Sequence, residues 1–290
     1  MPTRAFLAGV MIATATVAAP PALSAPLTLT ANAIDHPIRL DGQVDDWQGV
    51  PSVVVPLSGT GGADRVELRA AIRDDRFYLL AIWDDPTESA LHKPYRWNEA
   101  SQSYEKTDLM EDRFALSMRI SGDFTANKLD GSEFTADVWH WKAHRSNPAG
   151  LAHDKFWRVS RTPFEGSRAI QTPTGDTIHL ARRSDAGDRL YKPVQYYVKQ
   201  REIMPLYEVN HEARGSIADV NAKGVWRDGR WYLELSRRLD TGHDDDAVIP
   251  ANGTMPFAVA LFDGVSNNLV DGGAHSVSEL LILETRAASS

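Results

Sequence analysis

Residues 135–157 read TADVWHWKAHRSNPAGLAHDKFW and hold three tryptophans and three histidines in twenty-three positions, in a chain with eight Trp and nine His overall. Flat indoles and imidazole nitrogens crowded together serve one of two ends. They wall a pocket for a planar or metal-bearing ligand, or they form an aromatic core with polar edges. The chain contains no Cys, which removes disulfides, thiolate metal ligands and thioether-linked cofactors together. His, Met and Lys remain as nitrogen or sulfur donors.

His140 sits between Trp139 and Trp141, so flat apolar walls and a nitrogen donor occur side by side. Met110, in TDLMEDRFAL, is a thioether among the carboxylates of Asp108, Glu111 and Asp112. His275, in DGGAHSVSELL, follows a glycine pair just before the last apolar run. Each has a structural reading beside the chemical one: a buried imidazole bonded to a backbone carbonyl, a methionine packing at a strand start, an exposed loop histidine. His144 and His153 are expected to point outward, and His36 belongs to an entry strand. Trp47 and Trp83 read as core anchors. The nearby Asp45, Asp46, Asp84 and Asp85, and the run GHDDD at 242–246, read as solvated turns, because no Asp-x-Asp-x-Asp-Gly calcium loop is present.

The elements that must position these groups are mostly strands. VELRAAIRDDRFYLLAIWDDP predicts strands over 66–72 and 77–83 around an Asp-Asp turn. EDRFALSMRIS puts Phe114, Leu116, Met118 and Ile120 on one face. GVWRDGRWYLELSRRL predicts another hairpin, with Asp228-Gly229 as its tight turn. MPFAVALFDG and SELLILE supply late strands. Only 136–144 and 213–219 could hold a helical turn or two. Residues 156–215, rich in Pro, Gly, Arg and Asp, read as long loops or an insertion, and loops of that length are more often functional than idle. The pattern defines an all-β chain, an immunoglobulin-like or DOMON-like β-sandwich with long loop insertions and one or two short helices.

Residues 1–25 carry Arg4, an apolar run and then small residues, the order of a secretory signal, which leaves 26–290 as a single exported domain. That apolar run is shorter than the roughly 18 residues of a spanning helix, so no membrane span is expected in the mature chain. A net charge of −8 and a pI near 5.6 argue against a nucleic-acid surface. No Gly-x-Ser-x-Gly elbow, His-Glu-x-x-His helix or phosphate-cradling glycine loop supports a hydrolase.

Three segments, IRLDGQVDDWQGVPSVVVPL, FYLLAIWDDPTES and EDRFALSMRI, resemble the family-nine carbohydrate-binding fold and its DOMON-type relatives. DVWHWKAHRSNPAGLAHDKFW followed by GVWRDGRWYLELSRRLDTGHDDD narrows this. The chain resembles the haem-binding domain of the ethylbenzene dehydrogenase γ-subunit, over roughly residues 34–284. The resemblance implies a β-sandwich holding one non-covalent b-type haem, a periplasmic electron-transfer protein or subunit rather than an enzyme on its own. Its implied partner is an iron–sulfur subunit or a membrane cytochrome. In that family the iron is held by a Met and a Lys, which makes Lys223, in NAKGVWRDG, a donor on the γ-subunit arrangement beside its reading as an exposed strand lysine. From their residue types His140, Met110 and His275 stay open as further donors, with Trp139, Trp141, Lys142 and Trp157 expected to line the slot. The chain departs from the pattern at one point: the γ-subunit Met lies shortly before the WHW segment, and FTANKLDGSEFTADVWHW contains none. The alternative is a secreted carbohydrate-binding module without haem, with Trp139 and Trp141 as a sugar platform.

Overall fold

The computed structural model describes residues 25–59, 62–264 and 275–288. The expected signal segment therefore lies, all but its last residue, outside the described residues. In chain order the strands are β1 (Thr28–Ala33), β2 (Ser52–Gly59), β3 (Arg65–Arg73), β4 (Arg76–Asp84), β5 (Tyr95–Asn98), β6 (Ser103–Lys106), β7 (Arg113–Gly122), β8 (Phe134–Lys142), β9 (His153–Ser160) and β10 (Arg168–Gln171). They continue with β11 (Thr177–Ser184), β12 (Tyr191–Pro193), β13 (Ile203–Met204), β14 (Tyr207–Val209), β15 (Asn221–Arg227), β16 (Arg230–Arg238), β17 (Asn252–Phe262), β18 (His275–Ser278) and β19 (Leu281–Arg286).

Hydrogen-bonded neighbours run β10-β11-β9-β8-β7-β17 in one layer and β2-β3-β4-β16-β15 in the other, joined through β18, which pairs both β17 and β2. A second join runs through β19 and β1; β1 is parallel to both β19 and β3, whereas its neighbours in the layers pair antiparallel. The chain is thus a β-sandwich closed along one edge. Both predicted hairpins are present. β3 and β4 turn at Asp74, whose φ is 54°, and β15 and β16 turn at Asp228-Gly229, with φ values of 51° and 76°, the left-handed pair that a two-residue hairpin turn requires.

Alternation along the strands builds three layers of apolar packing. Phe114, Leu116, Met118, Trp139 and Trp141 from one layer meet Leu79, Ala81, Trp83, Trp231, Leu233 and Leu235 from the other in the interior. Trp83 stacks on Phe114 with ring centroids 6.0 Å apart and meets Trp141 edge-on at 6.2 Å. The outer face of β3 and β4 is covered by the segment around Trp47 and Val50. The outer face of β8, β9 and β11 carries a third cluster containing Phe134, Ala136, Val159, Ile178 and Leu180.

Two elements differ from those expected from the sequence. Residues 136–144, expected to hold a helical turn, lie mostly within β8, because pairing with β7 and β9 outweighs a weak local preference. Residues 156–215 are not a run of loops, since they contain the end of β9 and all of β10 to β14. Strands whose partners are distant in sequence leave little local period to detect. The second expected turn, at 213–219, is a short 3-10 helix at Ser216–Ala218, with others at Asp45–Trp47 and Asn147–Ala149. Among the described residues no helix is long and apolar enough to cross a membrane.

Candidate functional site

β8 distributes the aromatic and imidazole crowd between two sides. Trp139 and Trp141 point into the interior and are fully buried. Trp139 meets Phe77 at 6.1 Å and Trp141 meets Trp231 at 5.0 Å, both edge-on. His140 and Lys142 point the other way, onto the outer face. The sequence reading put the two tryptophans and His140 on one wall, but period-two alternation makes that impossible for neighbours on a regular strand.

On that outer face a cavity of about 380 Å³ lies between β10, β11, β18 and the loop that joins β7 to β8. Its apolar lining includes Leu129, Ile170, Leu180, Val277 and Leu280, and its polar lining includes Lys128, Arg182, His275, Asn127 and the Glu279 carboxylate. The loop carrying Lys128 is pinned at both ends. Asp123 N donates to Glu133 O at 2.9 Å, and Phe124 packs edge-on against Phe134 at 5.3 Å. Between those ends Asn127 Oδ1 accepts from Leu129 N at 3.1 Å, an Asx turn that fixes the residue between them. His275 begins β18 opposite Phe262 of β17, and the two rings stack at 5.7 Å.

Trp157, on β9, projects to the same side as the cavity. Lys128 Nζ stands 4.1 Å from its ring centroid and the Arg182 guanidinium 5.2 Å away. Burial pushes the Lys128 amine down to about 8, and the neighbouring Arg182 adds to the shift. Such an amine loses its proton more readily than an ordinary lysine and so gains a lone pair to offer a metal.

The other expected site residues lie elsewhere. The His140 ring meets Phe262 at 5.8 Å, so His140, Phe262 and His275 form a row of rings, and His140 Nε2 is buried without a hydrogen-bond partner. Burial and the positive charges of Lys142 and Arg113 hold the His140 imidazole well below its usual range. Lys142 is buried with Nζ 2.7 Å from His153 Nδ1, and His153 Nε2 lies 2.8 Å from Ser184 Oγ. His153, expected to point outward into solvent, is therefore buried, and His144 is buried too. Met110 is half-buried in the extended segment before β7. Lys223 lies on β15 between Ala222 and Gly224, which face the interior, and pairs across to Glu234. It therefore projects from the opposite side of the sandwich to His140 and His275, and one iron cannot take both.

Lys128 is not among the donors expected from the sequence; it lies in FTANKLDGSEFTADVWHW, the stretch before the WHW segment that lacks the expected Met.

The residues around the cavity fit a b-type haem. They supply apolar walls, an imidazole, an amine of lowered pKa and an Arg able to pair with a propionate, and no thiol is needed. The profile of the ethylbenzene dehydrogenase family matches residues 44–271, and the chain belongs to that family. Among solved structures, a family 9 carbohydrate-binding module from Caldicellulosiruptor kristjanssonii in complex with cellotriose is similar at 14% identity, with a TM-score of 0.41, over 91% of this chain and 95% of that one. The same kind of module in complex with glucose gives 14% identity and a TM-score of 0.41 over 91% and 97%. No curated protein matches the chain.

Proposed function

We propose that this chain is a γ-subunit-like electron-transfer protein that holds one b-type haem, without a covalent tether, in the cavity lined by Lys128 and His275. The observation that supports the reading is the meeting of these two nitrogen donors in one cavity with an aliphatic side formed by Leu129, Ile170, Leu180, Val277 and Leu280. A haem bound there supplies a one-electron iron couple whose potential is set by its axial ligands and by the polarity around it. The chain's own part is to present the His275 imidazole and the Lys128 amine, to exclude water with Leu129, Ile170, Leu180 and Leu280, and to offset propionate charge with Arg182. Trp157 supports Lys128 from beneath. The electron partner is an iron–sulfur subunit or a membrane cytochrome, and the setting is the periplasm.

The sugar-platform alternative needs Trp139 and Trp141 at a surface, and both are fully buried.

Titration of the purified protein with haemin, followed by absorption spectroscopy of oxidised and dithionite-reduced samples, tests the proposal. Stoichiometric binding with sharp low-spin bands is expected, and the bands should be lost in both His275→Ala and Lys128→Ala. Met110→Ala and Lys223→Ala should keep them. A chain that takes up no haem, or that keeps its low-spin bands in both of the first two variants, would overturn it.

A further inference from the structure

Two groups of buried ionisable side chains near β8 are answered in different ways. The carboxylates of Asp137, Asp154 and Asp246 converge on Arg237 Nη1, at 2.7, 3.4 and 3.0 Å, so Asp246 is buried rather than solvated as its GHDDD run suggested. Lys142, buried on the other face of the same strand, meets an imidazole instead. Its Nζ lies 2.7 Å from His153 Nδ1, and the second ring nitrogen, His153 Nε2, stands 2.8 Å from Ser184 Oγ. Lys142 and His153 are buried and Ser184 is exposed. An amine, an imidazole and a hydroxyl thus form one line of hydrogen bonds that runs outward to the surface.

The line crosses three neighbouring strands. Lys142 ends β8, His153 begins β9 and Ser184 ends β11. Ser184 pairs with Lys155, two residues along from His153 and therefore on the same face. Members so far apart in sequence leave no local motif. The ribbon of β12 and β14 roofs the buried end. The Tyr191 ring meets His153 edge-on at 5.8 Å, lies 5.3 Å from Lys142 Nζ and packs edge-on against Tyr207 at 5.2 Å. The outer end opens on a cavity of about 370 Å³, which His153 and Ser184 line together with Leu190, Tyr191, Tyr207 and Ile217. Arg189 brings a positive charge to the same lining. This cavity shares no lining residue with the one that holds Lys128 and His275.

The order of the three groups sets the direction in which protons run. An ammonium at Lys142 could only donate to Nδ1, which would turn Nε2–H toward the hydroxyl and leave the serine inert. A neutral amine has a lone pair. It can accept from Nδ1–H, and Nε2 then accepts from Ser184 Oγ–H. Burial, with Arg145 adding, holds the Lys142 amine well below the ordinary lysine range. Burial, with Lys142 adding, also holds the His153 imidazole far below its usual range, so the ring passes a proton on and does not keep it. A buried lysine lowered in this way suits general-base work near neutral pH.

We propose that Ser184, His153 and Lys142 form a base-activated serine centre that hydrolyses small carboxylic esters, separate from the haem cavity. Ser184 Oγ attacks the ester carbonyl. Its proton passes to His153 Nε2 while the Nδ1 proton passes to Lys142 Nζ, so the imidazole stays neutral and the charge ends on an ammonium. The relay then runs back, protonating the leaving alkoxide as its C–O bond breaks, and an acyl ester of Ser184 and a free alcohol remain. Water attacks the acyl carbonyl next and gives a proton to the same relay. The Oγ–acyl bond breaks, Oγ regains a proton, and the carboxylic acid leaves. Arg189 is the positive group available to the oxyanion of both steps, and Leu190, Tyr191, Tyr207 and Ile217 accommodate a short apolar acyl group.

The test treats the full chain with a fluorophosphonate, which esterifies an activated serine, and separately with p-nitrophenyl acetate. One adduct per chain is expected, mapped to Ser184 by peptide mass spectrometry, together with release of p-nitrophenol. Ser184→Ala, at an exposed position, should take no label and release p-nitrophenol about a hundredfold more slowly. It should still take up haemin as the parent does, which keeps this site distinct from the haem reading. Lys142→Met and His153→Gln, with folding followed by circular dichroism, should slow labelling by about a hundredfold or more. In the parent the labelling rate should rise with pH and level off below the ordinary lysine value of about 10.4, and Lys142→Met should lose that rise. Three results would overturn the proposal: no adduct on Ser184 in the folded parent, ester hydrolysis by Ser184→Ala at the parent rate, or parent-rate labelling of folded Lys142→Met.

Discussion

Gly224 passes against the indole of Trp141 so closely that a Cβ built on it would stand 2.3 Å from Trp141 Cζ2 and 2.8 Å from Cε2. The contact is locked by Asn147, whose Oδ1 accepts both Gly224 N at 2.8 Å and Trp141 Nε1 at 3.1 Å. It brings the edge strand β15 onto β8 and closes the sandwich on the side away from β18. A rigid ring cannot yield as a flexible side chain would. Gly224→Ala should therefore destabilise the fold by about 1–3 kcal/mol, the usual penalty of overpacking. Urea unfolding of the two proteins measures it, and an equal midpoint in both would refute the closure role.

A second prediction concerns pH. Burial and the nearby Asp85 push Asp112 up to about 7, while burial above all, with Asp263 adding, pushes Asp85 up to about 6. An acid whose pKa is raised in the folded state favours folding below its unfolded value. That contribution is lost as pH rises through the folded value. In this pair the loss spans roughly pH 4 to 7. Asp85→Asn keeps an acceptor for Thr87 N, which bonds Asp85 Oδ1 at 3.0 Å, and removes one of the two charges. The variant should gain stability relative to the parent as pH rises from 5 to 8, by about 1 kcal/mol or more. Denaturant titrations at the two pH values decide it; parallel pH profiles would mean that the two carboxyls do not interact.

The inner face of β7 is legible in the sequence because Phe114, Leu116 and Met118 alternate with smaller or polar residues over an uninterrupted strand. Both hairpins are legible because their turns are Asp-Asp and Asp-Gly. The site is legible only in fragments. His275 and Trp157 stand out by type, yet nothing local says that they share a side of the sheet with each other and not with Trp139. That relation is set by register, since Trp157 pairs with Ala136 and not with its neighbours. Lys128 is hidden for a different reason. It lies in an aperiodic loop, and its amine becomes chemically unusual only through tertiary burial beside Arg182.

Glu234 gives a third test, of how the outer layer over β3 and β4 is held. Its carboxylate is buried and accepts Trp47 Nε1 at 2.8 Å, Gly42 N at 2.6 Å and Asp41 N at 2.8 Å. Burial raises its pKa above the ordinary range even though these three donors pull it down. Glu234→Ala would strand all three donors, two of them on the turn that carries the chain into Trp47. With about 1–3 kcal/mol for each donor left buried without a partner, and water able to reach the more exposed Asp41 amide, a loss of about 2–4 kcal/mol is expected. Trp47→Phe should lose less, because only one bond is removed, and thermal unfolding of both variants would expose a reversed order.

Lys128 yields the prediction most closely tied to the proposed function. An amine binds a metal only through its lone pair, so ligation competes with a proton. In the protein without haem the Lys128 amine is lowered to about 8, and below that value most chains must give up a proton before the amine can act as a donor. Haem affinity should therefore rise with pH by up to tenfold per unit below about pH 8 and level off above it. Replacing the amine with a thioether that does not titrate, in Lys128→Met, should abolish the rise while keeping a low-spin spectrum. Haemin titrations between pH 6.5 and 9.5, read at the Soret band, separate the cases. A pH-independent affinity in the parent, or an unchanged slope in Lys128→Met, would remove Lys128 from the iron.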